Sequence, residues 1–350
     1  MISSVAWLVV VQSEAFQLRA AKCAKRTGLE ASALTAESIR AETDELKVSL
    51  RAIATSRVES GAFVERVRHF QRVVGSAAES FDADELRVLQ QQFREKTSEF
   101  ADENEWLERS RTWPEGYAGD YKMLEFVYTG DAAGSATALG DLWTHYLQQC
   151  TLAVAVRCRM RRLRSLLTAR VDSEPTKGNW LNVACGSCRE LLEVPARKNK
   201  ESKIYCLDND ANALEYARDL LAEAPNADAL SFVQKNALRL KNATTTNNVY
   251  GPLTTIYSAG LFDYLASRSL VPLIHGLYDA LAPGGLLIMP FKDMARYETF
   301  DYHWLSEWHY FLQRAEADFV QILADAGIPE TSIAMERDDS GAIMFFLAHK

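Results

Sequence analysis

The feature that most constrains this chain is an apolar stretch that enters a short turn of small residues and is followed by a second apolar stretch ending in an acid. The first reads Trp180-Leu-Asn-Val-Ala-Cys-Gly-Ser-Cys-Arg-Glu190 and the second Lys203-Ile-Tyr-Cys-Leu-Asp208. We interpret them as two buried strands of an open α/β sheet, with a tight turn and a helix start after the first. In such sheets the turn lets the backbone approach a nucleoside, and the carboxylate accepts hydrogen bonds from the ribose hydroxyls. The pattern therefore predicts a nucleoside cofactor in the second half of the chain.

The overall composition is that of a globular protein with an acidic balance. Of the 350 residues, 48% are hydrophobic and 25% charged, and the formal net charge is -8. A general nucleic-acid binder usually presents a basic face, so this charge argues against that class. No apolar run approaches the roughly 20 residues of a membrane span. The short run Trp7-Leu-Val-Val-Val11 lacks a basic leader, and we interpret it as part of a buried N-terminal helix, which makes a cytoplasmic location the expectation.

Two of the six cysteines form a CxxC pair in the turn, Cys185-Gly-Ser-Cys188. A zinc site would need a second Cys or His pair at ligand spacing, and the sequence has none, so no metal is predicted. A redox pair is an alternative, because a helix start after Cys185 would lower the thiol pKa. The favoured interpretation is the packing of small residues in the turn.

The first part of the chain, residues 1–172, is predicted to be a helical domain. Helix breaks are expected near residues 28, 80–82 and 113–114, and Ser80 or Asp82 would cap a helix that carries residues 85–99. One long helix is predicted from 136 to 171, followed by a polar linker at 172–178 that contains Pro and Gly. Apolar residues recur at helical spacing at Phe63, Val67, Phe70 and Val74.

The second part, residues 178–350, alternates short apolar runs with amphipathic helices, as is typical of a mostly parallel sheet. The turn Asp338-Asp-Ser-Gly341 separates the last two strands, which should therefore form an antiparallel hairpin. Helices are predicted at 211–222 and 265–281, and strands at 180–184, 203–207, 230–234, 253–258, 285–290, 331–335 and 342–348. The predicted fold class is α/β, a Rossmann-like seven-stranded sheet with a C-terminal antiparallel hairpin, preceded by the helical domain.

Two kinds of cofactor fit a strand, a turn and an acid-terminated strand: dinucleotides and S-adenosylmethionine. A dinucleotide site uses G-x-G-x-x-G, so that the pyrophosphate can sit on the helix N-terminus. Here the turn keeps one glycine, Gly186, and a cofactor without phosphates tolerates that loss better. S-adenosylmethionine is therefore the predicted cofactor, and an NAD-dependent oxidoreductase is a weaker alternative.

At these residues the chain resembles the class I S-adenosylmethionine-dependent methyltransferases. Asn182-Val-Ala-Cys-Gly-Ser-Cys188 is similar to their first motif, D/E-x-G-x-G-x-G, although Asn replaces the acid and Ala and Cys replace the outer glycines. Asp208 corresponds to their ribose-binding acid, Asn236-Ala237 to the segment beside the adenine, and Leu281-Ala-Pro-Gly-Gly-Leu-Leu287 to the turn into the fifth strand. The resemblance covers roughly residues 178–350 and implies the seven-stranded methyltransferase sheet.

A narrower resemblance is to the bacterial methyltransferases of 3-hydroxypalmitic acid methyl ester biosynthesis. It rests on Pro114-Glu-Gly-Tyr-Ala-Gly-Asp-Tyr121, Cys185-Gly-Ser-Cys-Arg-Glu190 and Ile256-Tyr-Ser-Ala-Gly-Leu-Phe-Asp-Tyr-Leu265. Those proteins also carry a helical N-terminal region. The resemblance implies a fatty-acyl acceptor and extends over most of the chain from about residue 110.

The resemblance implies a cofactor site built from the turn and from the ends of neighbouring strands. Glu190 would lie in the first helical turn, where the dipole favours a carboxylate with or without a cofactor. Asp210, beside Asn209, could equally cap the next helix. The implied cofactor-binding residues here are Ala184, Cys185, Gly186, Glu190, Asp208, Asn209, Asn236, Ala237 and Ser258.

A cluster of two tyrosines and an acid, Tyr117, Asp120 and Tyr121, precedes a predicted helix. The plain interpretation is that Asp120 caps that helix. The cluster could instead close over the cofactor, since an aromatic face suits a sulfonium through cation–π attraction. Both interpretations stay open.

The candidate catalytic residues are Asp263 and Tyr264, after the fourth strand, and His303 and His309, after the fifth. Ligands bind outside the carboxyl ends of such strands. The alternatives are that Phe262 and Tyr264 only pack the following helix, and that the aromatic residues around the two histidines form the buried face of one helix. The arginine run at 157–164 is typical of a solvated helix face, but one arginine pointing into the cleft could pair with a substrate carboxylate.

The resulting hypothesis is a two-domain methyltransferase whose helical domain covers the site of a small-molecule acceptor. A homodimer is the assembly that this hypothesis allows. A carboxylate acceptor needs no general base, whereas an alcohol, a phenol or a protonated amine does, and then His303, His309 or Asp263 would serve. The sequence offers no unambiguous base, which favours a carboxylate or a readily deprotonated amine, and the carboxylate considered is a fatty-acid-like one. The alternatives are O- or N-methylation of a secondary metabolite, and a non-catalytic binding protein with a degenerate methyltransferase fold.

Overall fold

The computed structural model describes residues 34–55, 60–130, 137–173 and 177–350. The predicted N-terminal helix at 7–11 and the break near residue 28 lie outside these residues. The described chain divides into two compact units. The helical unit comprises the described residues within 1–119, 129–150 and 298–309, and the sheet unit comprises those within 120–128, 151–297 and 310–350.

The helical unit is built from short amphipathic helices. They are α1 (Ala36–Thr55), α2 (Ser60–Val74), α3 (Ala77–Ser80), α4 (Ala83–Lys96), α5 (Ser98–Ala101), α6 (Glu105–Thr112) and α8 (Ala138–Gln149), while α7 (Tyr121–Thr129) falls mainly in the sheet unit. The predicted apolar face of α2 is confirmed, because Phe63, Val67, Phe70 and Val74 are all buried. None of the helices in the described residues combines the length and the apolar character that are needed to cross a membrane.

The break predicted at 80–82 is confirmed, and Asp82 is the residue that caps α4. Its carboxylate accepts hydrogen bonds from Asp84 N and Glu85 N, and Glu85 completes a capping box. Ser80 is the last residue of α3 instead. The predicted helix through 85–99 is also shorter than expected, since α4 ends at Lys96 and a separate turn of helix follows.

The prediction of one long helix from 136 to 171 is wrong. Cys150 has an extended ψ of 140° and separates α8 from α9 (Thr151–Ser173). The two helices also belong to different units. Arg170 ties α9 to the sheet by donating hydrogen bonds to Thr254 O and Gly284 O, both at 3.0 Å.

The sheet unit contains a seven-stranded sheet in the order β3-β2-β1-β4-β5-β7-β6. Strands β1 to β5 run parallel, and β7 lies antiparallel between β5 and β6. The strands are β1 (Asn179–Val183), β2 (Ile204–Asp208), β3 (Leu230–Gln234), β4 (Leu253–Tyr257), β5 (Leu281–Lys292), β6 (Ile333–Arg337) and β7 (Ile343–His349). The predicted α/β fold with its C-terminal antiparallel hairpin is confirmed, and all seven predicted strands overlap observed ones.

The helices of the sheet unit contribute buried apolar residues to its core. Besides α7 and α9 they are α10 (Ala211–Leu220), α11 (Ala243–Tyr250), α12 (Ser267–Ala280) and α13 (Glu316–Asp325). The core includes Leu181 of β1, Ile256 of β4, Leu277 of α12 and Phe346 of β7, all fully buried. A shallow depression lies at the amino ends of β4 and β5. The candidate site residues lie at the opposite edge of the sheet, where the parallel strands end.

The helix expected after the first turn is a single 3₁₀ segment, Arg189–Glu193. The cause is local: Val194 precedes Pro195, and the residue before a proline is pushed out of helical geometry into the extended region, here φ -70° and ψ 126°. The turn is thus followed by one tight coil of backbone and not by a long helix with its dipole.

Candidate functional site

Five chain segments meet at the carboxyl edge of the parallel strands. Three follow their strands, after β1 (184–188), β3 (235–237) and β4 (258–264), and two begin at the last strand residue, at the ends of β2 (208–210) and β5 (292–293). Ligands of open α/β sheets bind at this edge. Most of the candidate residues therefore lie together, and the arrangement depends on strand order alone.

The turn after β1 holds three residues in the left-handed region at alternate positions. The φ angles are 54° at Ala184, 54° at Gly186 and 53° at Cys188. These are the three positions that the resembled motif fills with glycine, so the chain keeps the backbone of that motif without two of its glycines. A left-handed conformation costs a non-glycine residue about 1–2 kcal/mol, which the surrounding structure must offset.

Asp208 fixes this turn to the end of β2. Gly186 N donates to Asp208 Oδ2 at 2.9 Å, and Asp210 N donates to Oδ1 at 3.0 Å. Burial raises the pKa of Asp208, while the backbone donors of Asp210, Gly186 and Asn209 oppose that shift. The side chain is only half-buried, and an added Cβ at Gly186 would meet no atom within 4 Å. The turn and the carboxylate therefore border open space.

The residues around Asp208 also have structural roles, in helix capping and in contacts between strand ends. Asp210 caps α10, since its carboxylate accepts from Asn212 N at 2.9 Å, while Asn209 is exposed beside it. Lys235 N donates to Asp208 O at 2.7 Å, which brings the segment after β3 against the end of β2. Asn236 is exposed there and Ala237 is buried. The segment expected to flank the adenine is thus adjacent to the expected ribose carboxylate.

Glu190 is buried beneath the turn, with only 5% of its surface exposed. Its Oε1 accepts hydrogen bonds from Asn182 Nδ2 at 2.8 Å and from the Tyr257 hydroxyl at 3.0 Å. Burial raises the pKa of Glu190 to about 7, and the two donors limit the increase. Asn182 Oδ1 is buried without a hydrogen-bond partner. The Glu190 carboxylate therefore lies beside Asn182, which is the strand position at which the resembled motif has an acid.

The two cysteines of the CxxC pair are packed inside the turn. Both Cys185 and Cys188 are buried free thiols, and Cys206 of β2 contacts them. Burial raises the pKa of Cys185 and Cys188 well above the usual range, so both are protonated. Among the described residues, no group of three or more His, Cys, Asp and Glu side chains is placed to hold a metal ion.

The segment after β4 carries a buried ion pair. Asp263 is 1% exposed, and its Oδ2 lies 2.6 Å from Lys292 Nζ. Its Oδ1 also accepts from Lys292 N at 3.1 Å. Burial lowers the pKa of Lys292, and Asp263 opposes that shift. With both oxygens engaged, Asp263 acts as a partner that positions Lys292, and this lysine was not singled out by the sequence. The only signal for it is a charged residue at the end of an apolar strand.

The other residues of the segment after β4 differ in how deeply they are buried. Ser258 is fully buried, and its Oγ accepts from Leu261 N at 3.4 Å. Phe262 is fully buried against Phe291, at a ring separation of 5.9 Å, as the packing interpretation expects. Tyr264 is half-buried and lies 5.5 Å from Lys292 Nζ.

The tyrosine–acid cluster is divided between the two units. Tyr117 lies in the helical unit, and Asp120 and Tyr121 lie in the sheet unit. Asp120 Oδ1 accepts from Met123 N at 2.9 Å, which is the geometry of an N-cap. The ring of Tyr121 packs against Tyr216 at 5.2 Å. These contacts support the capping interpretation for Asp120.

Helix α7 is held beside the turn by a buried carboxylate that the sequence did not reveal. Glu125 is 7% exposed and accepts from Arg189 Nε at 2.8 Å, with a second contact from the same guanidinium. The Tyr216 hydroxyl donates to it at 3.0 Å. Since Arg189 directly follows the turn, this bidentate pair fixes the turn from its outer side.

The two candidate histidines belong to the helical unit. The rings of His303 and His309 are stacked at 4.5 Å. Burial, together with Arg94 and Arg87, lowers the pKa of His303 to about 4 and that of His309 further. Both rings are therefore neutral and only weakly basic near pH 7. Nearby, Trp304 packs on Phe70, which fits the core interpretation for that residue.

Comparison with known proteins shows the fold and no family. No protein-family model matches the chain, and no curated protein matches it. Among solved structures, one described as a possible exported protein from Bordetella parapertussis matches with a TM-score of 0.54 and 15% identity, covering 90% of this chain and 97% of its own. Weaker matches are the CurJ carbon methyltransferase (TM-score 0.45, 13% identity, 90% of this chain and 93% of its own) and an O-methyltransferase family protein from Burkholderia thailandensis (0.45, 12%, 90% and 96%).

The strand order, with five parallel strands and β7 antiparallel between β5 and β6, is the sheet that the resemblance to the class I methyltransferases implied. At identities of 15% or less, likeness to solved structures extends to the fold alone, and function must be argued from the site.

Proposed function

We propose that this protein is an S-adenosylmethionine-dependent methyltransferase that acts on a small-molecule acceptor. The observation that carries the proposal is the hydrogen bond between Gly186 N and Asp208 Oδ2, with open space over the turn. It sets a backbone donor and a half-buried carboxylate side by side at the carboxyl edge, which suits a nucleoside. The left-handed turn is retained without its outer glycines, which favours a working site over a degenerate one.

The residues at this edge fit the parts of the cofactor. Asp208 would accept hydrogen bonds from the ribose hydroxyls, and Asn209 with the segment 236–237 would flank the adenine. The turn 184–188 would face the methionine part, with Glu190 beneath it. Ser258, directly after β4, would border the cofactor, and Tyr264, further along the same loop, would lie on the acceptor side. When bound, the cofactor supplies a methyl group on a positively charged sulfur, and the protein's task is to align the acceptor and exclude water.

We further propose that the acceptor is a fatty-acid-like carboxylate, which would be converted to its methyl ester. A carboxylate is ionised at neutral pH and needs no general base. The candidate bases support this choice, because Asp263 is engaged by Lys292 and both histidines are poorly basic. Methylation of a secondary metabolite at O or N is the second candidate, and the pKa of about 7 at Glu190 is the one observation in its favour.

Calorimetric titration with S-adenosylmethionine and S-adenosylhomocysteine tests the proposal. The wild type is expected to bind both. Asp208→Ala is expected to weaken binding about 100-fold, since hydrogen bonds to a charged acceptor contribute about 1.5–3 kcal/mol each. Asp219→Ala, an exposed carboxylate on α10, is the matched control and should bind as the wild type does. Failure of the wild type to bind either ligand, or binding of a nicotinamide nucleotide instead, would end the methyltransferase proposal.

A further inference from the structure

We propose that Arg159 is the anion-binding residue of the acceptor site and that it pairs with the acceptor carboxylate that becomes methylated. The inference rests on the proposed function and goes beyond it, because it names the group that selects an acid.

Arg159 differs from the other arginines of its run on α9. Arg162 pairs with Glu336 and Arg164 with Glu193, while Arg161 is exposed. Arg159 is 3% exposed, and its Nε has no hydrogen-bond partner. Within the part of the chain that the structure describes, no carboxylate lies within 4 Å of its guanidinium. It is therefore a buried cation without an ion-pair partner.

The guanidinium is aimed at the loop that follows β4. A Cβ added to Gly260 would lie 3.0 Å from Arg159 NH1, so this glycine leaves the room that the side chain occupies. The φ of Gly260 is -160°, an extended conformation open to any residue, so its backbone does not demand glycine. The close approach of the arginine is the structural reason for glycine at this position.

The polar groups around Arg159 come from several elements. The Tyr128 side chain of α7 lies within range of the Arg159 charge, and Lys292 at the end of β5 is a second nearby cation. Lys292 is already neutralised by Asp263. Asp338, after β6, lies within range of the Arg159 charge and is 5% exposed. Its Oδ1 accepts from Ser340 N, but its Oδ2 is buried without a partner.

Strand order decides which ligand this cation faces. Gly260 and Asp338 follow β4 and β6, and Lys292 ends β5, all on one half of the sheet. Gly186 and Asp208 follow β1 and end β2, on the other half. The nucleoside is proposed to lie over the second pair. The cation therefore belongs to the half of the edge left for the acceptor.

A carboxylate is the ligand that this arrangement suits. A buried ion without a partner costs several kcal/mol, and a guanidinium offers a carboxylate two parallel hydrogen bonds. In the transfer, a carboxylate oxygen forms the O–CH3 bond, the S–CH3 bond breaks, and its electron pair stays on sulfur. The product is a neutral ester and a neutral thioether. Since the ester carries no charge, Arg159 would hold the substrate and release the product.

The test compares octanoate with octanamide, titrated into protein saturated with S-adenosylhomocysteine. The wild type and Arg161→Met are expected to bind octanoate at least tenfold more tightly than octanamide. Arg159→Met should lose that preference while binding S-adenosylhomocysteine within twofold of the wild type. Its melting temperature without ligands should equal or exceed that of the wild type, because a costly buried charge is removed.

A second variant tests the geometry without removing the charge. Gly260→Ala places a methyl group against the guanidinium and should weaken octanoate binding with no effect on S-adenosylhomocysteine binding.

Persistence of the preference for octanoate over octanamide in Arg159→Met, or the absence of that preference in the wild type, overturns the proposal. A fall in cofactor affinity in Arg159→Met assigns the cation to the cofactor's own carboxylate and overturns it too. A lower melting temperature in that variant indicates a structural arginine. If the wild type binds no S-adenosylhomocysteine at all, the proposed function itself fails.

Discussion

Replacement of Glu190 by glutamine should remove a pH-dependent weakness of the sheet unit. The Glu190 carboxyl accepts from Asn182 and Tyr257, is 5% exposed, and has a pKa raised by burial to about 7. In the unfolded chain the pKa returns to its model-peptide value, near 4.3–4.5. A folded pKa above the unfolded one means that the folded state binds its proton more tightly. The stabilising contribution is complete below pH 4.5 and is lost as the pH rises through 7.

The magnitude follows from the two pKa values. At 1.36 kcal/mol for each pKa unit, a rise from 4.5 to about 7 corresponds to about 3 kcal/mol of stability lost between pH 4.5 and pH 8. Glutamine has the shape of the protonated acid and keeps an oxygen for the two donors. Glu190→Gln should therefore match the wild type near pH 5 and be about 3 kcal/mol more stable at pH 8.

Urea unfolding followed by circular dichroism at pH 5 and pH 8 measures this difference, and hydrogen exchange of the β1 peptide locates it in the sheet unit. Glu193→Gln is the matched control, since Glu193 lies on the same 3₁₀ segment with its side chain 69% exposed. The control should keep the pH dependence of the wild type. Equal stabilisation of Glu190→Gln at both pH values, or none at pH 8, would refute the reasoning from burial.

Three further changes test the architecture by denaturant unfolding at pH 7. Ala184→Gly should stabilise the protein by about 0.5–1 kcal/mol, because relief of a left-handed alanine exceeds the added chain entropy; destabilisation would show that the turn carries no strain. Asp263→Ala should destabilise it by about 3–5 kcal/mol, since Lys292 would be left buried and unpaired, and a loss under 1 kcal/mol would contradict that ion pair. Asp82→Ala should cost about 1 kcal/mol through the lost cap of α4, and no change would mean that the cap is dispensable.

Much of the sheet could be predicted from the sequence because its signals are local. Five-residue apolar runs bounded by turn residues specify strands, and the turn Asp338-Asp-Ser-Gly341 specifies the final hairpin. The helix boundaries were harder to predict from the sequence. The break at Cys150 has neither a glycine nor a proline to announce it, so a continuous apolar pattern predicted one helix where the structure has two.

The site was predictable where it depends on strand ends and not where it depends on burial. Asp208 and the turn at 184–188 follow their strands directly, so parallel strand order is enough to bring them together. The partners of Glu190 and Lys292 are distant in sequence, and nothing in the local pattern indicates that either charge is enclosed.

The sequence by itself determined the α/β alternation, the seven strands and the position of the turn that is proposed to bind the cofactor, because these depend on hydrophobic periodicity and local turn chemistry. Only the tertiary structure decided that Ala184 and Cys188 adopt the backbone of the glycines they replace. It also decided that Arg159, one of five arginines between residues 157 and 164, is the one turned into the protein. The physical reason is that burial and charge pairing are set by contacts between segments far apart in the chain, which no local pattern records.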